Sequence, residues 1–229
     1  MEKLASYCDF LLTVNERMNI TALRTPHDVA TVLFLDSLSV AAALRPDLLS
    51  PASSPRVFDV GSGTGAPGLP IKILFENWSL FLIESIQKKA RFLEDAIARL
   101  GLADVSVLAE RAEKVGADPR YRDTGDLCLA RAVASLPALL ELCAPLVRGG
   151  GFLAFPKSGD VDAEVESADA AAVALHTRLV RILSVPEALG LGAGRAIVLY
   201  QKLGPTPGGY PRRVGLATSR PIVGKSVGE

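Results

Sequence analysis

Asp59-Val60-Gly61-Ser62-Gly63-Thr64-Gly65 is the run whose residue types and spacing point most directly to chemistry. Gly61, Gly63 and Gly65 remove side chains where a backbone must approach a ligand or take positive φ. Val57-Phe58 before the run reads as a strand, and Ile71-Lys72-Ile73-Leu74 after it reads as a helix. Strand, glycine turn and helix form the entry of a nucleotide-binding α/β unit, where free helix N–H groups meet an electron-rich or anionic ligand group. Two ligand classes fit. Gly63 to Gly68 satisfies the GxGxxG of dinucleotide sites. Asp59 with the three glycines satisfies the acidic turn of class I S-adenosylmethionine (AdoMet) methyltransferases. Asp59 favours the second, because a carboxylate accepts from a methionine ammonium and repels a pyrophosphate. The plain alternative is an ordinary strand-to-helix turn.

Further candidates lie downstream. Glu84 ends the apolar run Leu80 to Ile83, about 20 residues past the turn, where an acidic residue binds ribose hydroxyls in either ligand class. It could equally cap the helix that follows, together with Ser85. Lys88, Lys89 and Arg91 on that helix read as an RNA contact or as a solvated face. In Arg111-Ala112-Glu113, spacing leaves open whether Glu113 borders an adenine or starts a helix in solvent. Arg131 follows an apolar strand at a sheet's carboxyl edge, where functional residues concentrate; a surface ion pair is its ordinary role. There is no nucleophile constellation. Cys8, Cys128 and Cys143 lack a CxxC pair, and His27 and His176 lack metal spacing, so no metal site is expected.

These residues need a scaffold to bring them together. Strands are expected near 56–60, 79–83, 104–109, 126–130 and 150–155, with helices near 68–76, 86–100 and 135–147 between them. That alternation predicts an α/β fold with a mainly parallel sheet. Two adjacent β-rich segments, 178–185 and 195–202, predict a terminal antiparallel pair, for seven strands in all. Residues 160–175 read as one acidic, alanine-rich helix. Before the sheet, 3–14 form an amphipathic helix, Thr25-Pro26-His27-Asp28 a helix start, and Asp36-Ser37 the cap of a further helix. Pro46, Ser50, Pro51, Ser53, Ser54 and Pro55 mark a linker. The expected organisation is a helical extension over 1–50, a nucleotide-binding core over 51–203 and a basic C-terminal tail over 204–229.

Zero net charge, from 25 basic and 25 acidic residues, excludes a globally basic nucleic-acid binder and leaves a local patch open. Arg195 to Lys225 holds six basic residues and no acidic one, with Tyr210 placed to stack on a base. Free cysteines and the lack of a signal-peptide pattern fit a cytoplasmic protein, and no run of ~18 apolar residues marks a membrane span.

Together the motifs resemble the RsmG (GidB) family. The resemblance rests on Asn19-Ile20-Thr21-Ala22, Phe34-Leu35-Asp36-Ser37-Leu38, Asp59 to Pro70, Glu84-Ser85 with Lys88-Lys89 and Phe92-Leu93, Arg111-Ala112-Glu113, Arg131-Ala132-Val133-Ala134 and Tyr210-Pro211-Arg212-Arg213. It implies a class I AdoMet-dependent methyltransferase, Rossmann-like in fold, that methylates guanine N7 in 16S ribosomal RNA, at guanine 527 in the usual numbering. It also implies AdoMet contacts from Gly61, Ala66, Glu84, Ser85, Ile86, Ala112, Glu113 and Arg131, with Arg131 on the reacting side. Lys88, Lys157, Tyr210, Arg212 and Arg213 are the expected RNA contacts, and a monomer acting on 16S RNA or the small ribosomal subunit is expected. Ala66, Val32-Leu33 and Val214 depart from the family's usual residues. A small-molecule methyltransferase, an NAD-dependent oxidoreductase and a non-catalytic RNA-binding regulator are the rival readings.

Overall fold

The computed structural model describes residues 2–44 and 54–224. The linker positions 45–53, the boundary at 50, and Lys225 lie outside the described residues.

Seven strands form one sheet: β1 (Arg56–Val60), β2 (Ser79–Ile83), β3 (Val105–Leu108), β4 (Gly125–Ala130), β5 (Val147–Lys157), β6 (Thr177–Ser184) and β7 (Ala196–Lys202). Their order is β3-β2-β1-β4-β5-β7-β6. The first five run parallel, and β7 lies antiparallel between β5 and β6. The terminal antiparallel pair is therefore present, with the last strand of the chain inside it and β6 at the edge.

Period-2 side-chain alternation assigns each strand residue to one of two cores. Val57, Leu80, Leu82, Leu127, Leu129, Ile197 and Leu199 face one side. Phe58, Ile83, Cys128, Ala130, Leu153, Phe155 and Tyr200 face the other. Helices α1 (Glu2–Met18), α3 (Asp36–Ala43), α4 (Gly68–Leu74) and α5 (Gln87–Leu100) cover the first face, and the single turn α2 (Pro26–Asp28) leads into α3 without burying a side chain. Helices α6 (Ala112–Ala117), α7 (Leu136–Cys143), α8 (Val161–Ser167), α9 (Asp169–Ala174) and α10 (Leu216–Ser219) cover the second. Each fully buried Leu or Phe in these layers stabilises the fold by about 1.5–3 kcal/mol. On α5 the apolar stripe Phe92, Leu93, Ala96 and Leu100 is buried while Lys88 and Arg91 point outward, and Gly101 at φ +59 ends the helix.

The helical extension shares the first core instead of standing apart: Leu4, Tyr7 and Leu11 pack with Leu69 and Leu82. Thr25 and Asp28 form a reciprocal capping box with Pro26 in the first turn, as the sequence predicts. The expected break at Asp36 does not occur. The chain passes from α2 through a π-helical stretch (Val29–Leu35) directly into α3. Asp36 is buried and makes no cap, and its carboxylate joins two arginines instead. The acidic helix divides at Ala168, whose side chain is buried, and Glu113 stands in the first turn of a short helix, α6, the helix-start alternative, though buried rather than in solvent.

Residues 204–224 lie against the body, not free as a tail. The Arg122 guanidinium donates to the carbonyls of Thr206, Pro207 and Tyr210. The fully buried Lys202 amine donates to Asp123, Thr206 Oγ1 and the carbonyls of Ala144 and Val147. Burial lowers the Lys202 pKa, and the Asp123 carboxylate opposes that shift. Segments without periodicity are ordered here by charged anchors.

Candidate active site

The glycine turn runs from the end of β1 to α4 and is held from both flanks. Gly61 and Ser62 N–H groups donate to the Ile83 carbonyl at the end of β2. Gly61 has φ +68, and a Cβ on it would stand 2.5 Å from Val133 Cγ2. Gly65 has φ +95, and its Cβ would meet Leu69 and the Tyr7 hydroxyl. No other residue type fits either position without displacement. The Tyr7 hydroxyl, from α1, donates to the Thr64 carbonyl. Burial raises the Tyr7 pKa, with the Asp59 charge adding to the effect, so it remains a donor.

Glu84 links the turn to α5. Its Oε2 accepts from Gly63 N at 2.9 Å and its Oε1 from Ile86 N at 2.7 Å. The ribose and capping roles weighed for it are thus compatible: one lone pair of each oxygen serves the backbone, and the carboxylate still borders a cavity.

That cavity, about 290 Å³, is lined by Gly61, Glu84, Ser85, Ala112, Glu113 and Thr218. Val60, Val133 and Leu142 supply apolar wall. Glu113 is buried, which removes the solvent-exposed alternative. Its Oε1 accepts from Gly215 N at 2.7 Å, whereas Oε2 is buried without a hydrogen bond and lies 3.6 Å from Arg111 Nε. Two carboxylates on apolar walls give the cavity a polar and an apolar side, the lining a purine nucleoside needs.

Other expected cofactor contacts lie elsewhere. Asp59 has no exposed surface and is not a wall of the cavity. Its Oδ2 accepts from Gly68 N at 3.0 Å, and its Oδ1 is buried without a partner. Burial pushes its pKa up to about 7, against the opposing Gly68 N–H and Arg131 charge. Direct contact with an ammonium is therefore closed off in this conformation, because the turn and α4 cover the carboxylate. Ala66 is buried in the core shared with the extension. Ile86 is half exposed at the start of α5.

Arg131, at the end of β4, faces a second cavity of about 340 Å³ together with Asp36, Lys157 and Arg195. Its guanidinium donates to Val32 O at 2.6 Å and Asp36 Oδ2 at 2.9 Å. Arg195 donates to Asp36 Oδ1 at 2.8 Å. The buried carboxylate thus fixes two guanidinium groups, and neither is a loose surface pair.

The expected RNA contacts divide sharply. Arg212 is committed to Glu141, a buried carboxylate, through two nitrogens at 2.5–2.8 Å. Its Nε and Nη2 are taken up in anchoring the C-terminal segment, which leaves Nη1 as the nitrogen free to meet a phosphate. Tyr210 packs, half-buried, against the second core. Lys88 caps α1 by donating to Met18 O, and Lys157 pairs with Glu164 at 2.6 Å. Arg213 is exposed, and no side-chain partner is seen for it among the described residues. Sequence reasoning gave no site role to Tyr7 or Thr218, read Asp36 as a helix cap, and placed Arg195 only in the basic stretch; charge inside the apolar run at Asp36 was the signal for an internal ion pair.

Among the described residues no His, Cys, Asp or Glu group converges on a metal site, and no helix is long and apolar enough to cross a membrane.

Residues 1–189 match the family model described as rRNA small subunit methyltransferase G (GidB). A protein of Roseiflexus castenholzii named ribosomal RNA small subunit methyltransferase G is 41% identical over 224 residues, covering 97% of this chain and 92% of its own. One of Dehalococcoides mccartyi strain CBDB1, with the same name, is 40% identical over 219 residues, covering 95% and 90%. Among solved structures, an S-adenosylmethionine-dependent O-methyltransferase of Thermotoga maritima aligns with TM-score 0.55 at 17% identity, over 86% of this chain and 72% of that one. A variant of MtNAS in complex with S-adenosylmethionine aligns with TM-score 0.57 at 13% identity, over 89% and 73%. At such identities the structural likeness shows the class I, Rossmann-like methyltransferase fold.

Proposed function

The chain belongs to the rRNA small subunit methyltransferase G (GidB) family and is an AdoMet-dependent rRNA methyltransferase, and from that premise we propose that it methylates N7 of one guanine, guanine 527 by family resemblance, in 16S RNA. The observation that supports the site assignment is the cavity at the carboxyl ends of β1, β2 and β3. It pairs a Glu84 carboxylate latched to the glycine turn with a buried Glu113 carboxylate.

In this reading Glu84 receives the ribose hydroxyls, Ser85 and Ala112 border the nucleoside, and Glu113 receives the adenine edge. Gly61 lets the main chain approach the ligand, while Gly63 and Gly65 allow the turn its positive-φ path. Asp59 acts as a positioning residue that ties α4 to β1 through Gly68. AdoMet supplies an electrophilic methyl group on a sulfonium sulfur. Guanine N7 carries a lone pair and no proton, so no general base is needed, in keeping with a site that has no nucleophile constellation. The sulfur–carbon bond breaks as the nitrogen–carbon bond forms, giving S-adenosylhomocysteine and a cationic methylguanine. Orientation then carries most of the rate, and effects of this kind reach ~7–11 kcal/mol.

Arg131 and Arg195, fixed by Asp36, border the acceptor side, and Arg213 extends the contact to the RNA backbone. The helical extension and the C-terminal segment serve as its two supports, and the protein acts as a monomer on rRNA within the small subunit. Labelled AdoMet offered with small ribosomal subunits and with naked 16S RNA, followed by mapping of the label, tests the reading. Label at a guanine N7 is the expected result, and its absence from both substrates would overturn it.

A further inference from the structure

Two cavities open at the carboxyl edge of the parallel strands, and one short segment walls both. Val133 lines the cofactor cavity, whereas Arg131 and Ala132 line the second cavity together with Lys157 and Arg195. Ala132, at φ +55, turns the chain between them, so neighbouring residues serve different cavities. Consecutive Cα atoms lie ~3.8 Å apart, so one nucleotide can reach into both. The second cavity continues away from the cofactor. Arg131 ends β4, Lys157 ends β5, and Arg195 precedes β7, which enters the sheet antiparallel beside Lys157. In the order β1-β4-β5-β7, Arg195 stands two strands beyond Arg131, roughly 10 Å at the usual strand spacing.

This cavity holds donors in excess. Asp36, from the helical extension, is buried and has both oxygens taken, Oδ2 by Arg131 at 2.9 Å and Oδ1 by Arg195 at 2.8 Å. Arg195 Nε donates to Leu191 O at 2.5 Å, and Lys157 Nζ meets Ala134 O at 3.2 Å and Glu164 at 2.6 Å. Arg195 Nη2 and one Lys157 N–H are left without a partner among the described residues, and the two side chains keep 27% and 12% of their surface exposed. Three cations line the cavity and two carboxylates pair with them, which leaves one positive charge over.

Surplus charged donors, held in place by a buried carboxylate and two carbonyls, suit an oxyanion. Two oxyanions are available: a phosphodiester of the RNA and the carboxylate of the cofactor's methionine. The guanine base does not suit the cavity, because methyl transfer makes the base cationic and surplus positive charge opposes that. The two-strand distance from Arg131 favours the RNA. We propose that Arg195 and Lys157 form a phosphate subsite that takes the phosphodiester next to the methylated guanine and so fixes the nucleotide while its base meets the cofactor. Asp36 supplies the fixed geometry, which makes the helical extension part of the acceptor site. The inference rests on the acceptor reading of this edge.

A cycle of RNA and protein changes tests it. One uncharged methylphosphonate linkage is placed by splinted ligation at successive positions around the methylated guanine of 16S RNA, naked or assembled into subunits according to which form takes up label. Methyl transfer by the full-length protein is then timed under single turnover. In the wild type one linkage beside that guanine is expected to slow transfer roughly tenfold, the scale of a hydrogen bond to a charged group. In Arg195→Gln the same linkage is expected to cost less than twofold, because its partner is already gone. Lys157→Gln repeats the cycle without disturbing Asp36, should Arg195→Gln fail to fold. Titrations with S-adenosylhomocysteine and with 5′-methylthioadenosine, which lacks the carboxylate, are expected to give wild-type affinities in both variants. No sensitive linkage in the wild type, or an equal penalty in the wild type and the folded variants, overturns the proposal. Weakened S-adenosylhomocysteine with 5′-methylthioadenosine spared assigns the donors to the cofactor's carboxylate and overturns it as well. Unmodified RNA that takes no label from the wild type in either form overturns the acceptor reading itself, a different failure.

Discussion

Two segments outside the nucleotide-binding sheet hold its site, and they do so by different physics. The N-terminal extension merges with the core: Leu4, Leu11, Val29 and Leu33 are buried in the same cluster as Leu82, and Tyr7 reaches the Thr64 carbonyl from within it. The C-terminal segment, a strap over 204–224, sets only Tyr210, Ala217 and Ile222 on the second core and is fastened at points, through Arg122, Lys202, Glu141–Arg212 and Glu113–Gly215. The extension spreads its stabilisation over many side chains, each replaceable. The strap concentrates it in a few buried charges, each of which leaves an uncompensated partner when removed.

The contrast breaks most visibly at Arg212. Arg212→Ala leaves Glu141 buried and unpaired, so a loss of about 3–5 kcal/mol is expected in denaturant unfolding, with weaker nucleoside binding. A stable variant with normal binding would show that the strap is ornamental.

Asp59 tests the extension's side of the sheet. Its folded pKa of about 7 lies above the ordinary carboxylate value. A raised pKa gives stability that is fully present at pH below the unfolded value and lost as pH rises through about 7. Asp59→Asn keeps the uncharged form, so the variant should gain on the wild type between pH 5 and 8, by on the order of 2–4 kcal/mol in unfolding free energy. Parallel pH–stability curves for the two proteins would refute it.

Tyr7→Phe removes one hydrogen bond from a site otherwise packed by apolar groups. The expected cost is about 1 kcal/mol, with AdoMet binding weakened only to that extent, as thermal unfolding and titration would reveal. A collapse like that of Arg212→Ala would mean that the extension too depends on single points.

The smallest effect is expected at Arg213, which is exposed. Arg213→Ala should change stability by less than about 0.5 kcal/mol. It should lower the salt slope of RNA binding by about one phosphate contact. An unchanged slope removes the strap from the RNA interface and leaves it a cofactor element only.

Periodicity made the frame readable. The alternating strands, the stripe of α5, the Thr25 cap and the glycine turn each follow from local spacing, because side-chain direction in a strand or helix is set by the backbone repeat. Asp59, Glu84, Glu113 and Arg131 were legible as candidates for the same reason: topology brings strand ends to one edge. Their partners were not legible. Asp36 lies 95 residues from Arg131, and Glu141 lies 71 from Arg212. Nothing local distinguishes an arginine bound for a buried carboxylate from one bound for RNA.

The sequence by itself therefore determined the sheet, the nucleotide turn and the enzyme family, since each is encoded in a short repeat or motif. Only the tertiary structure decided which charges are internal. Of the basic residues from Arg195 to Arg220, Arg195, Lys202 and Arg212 are tied to Asp36, Asp123 and Glu141. Charge neutralisation is a pairwise matter of distance and burial, and neither quantity exists until the chain is folded.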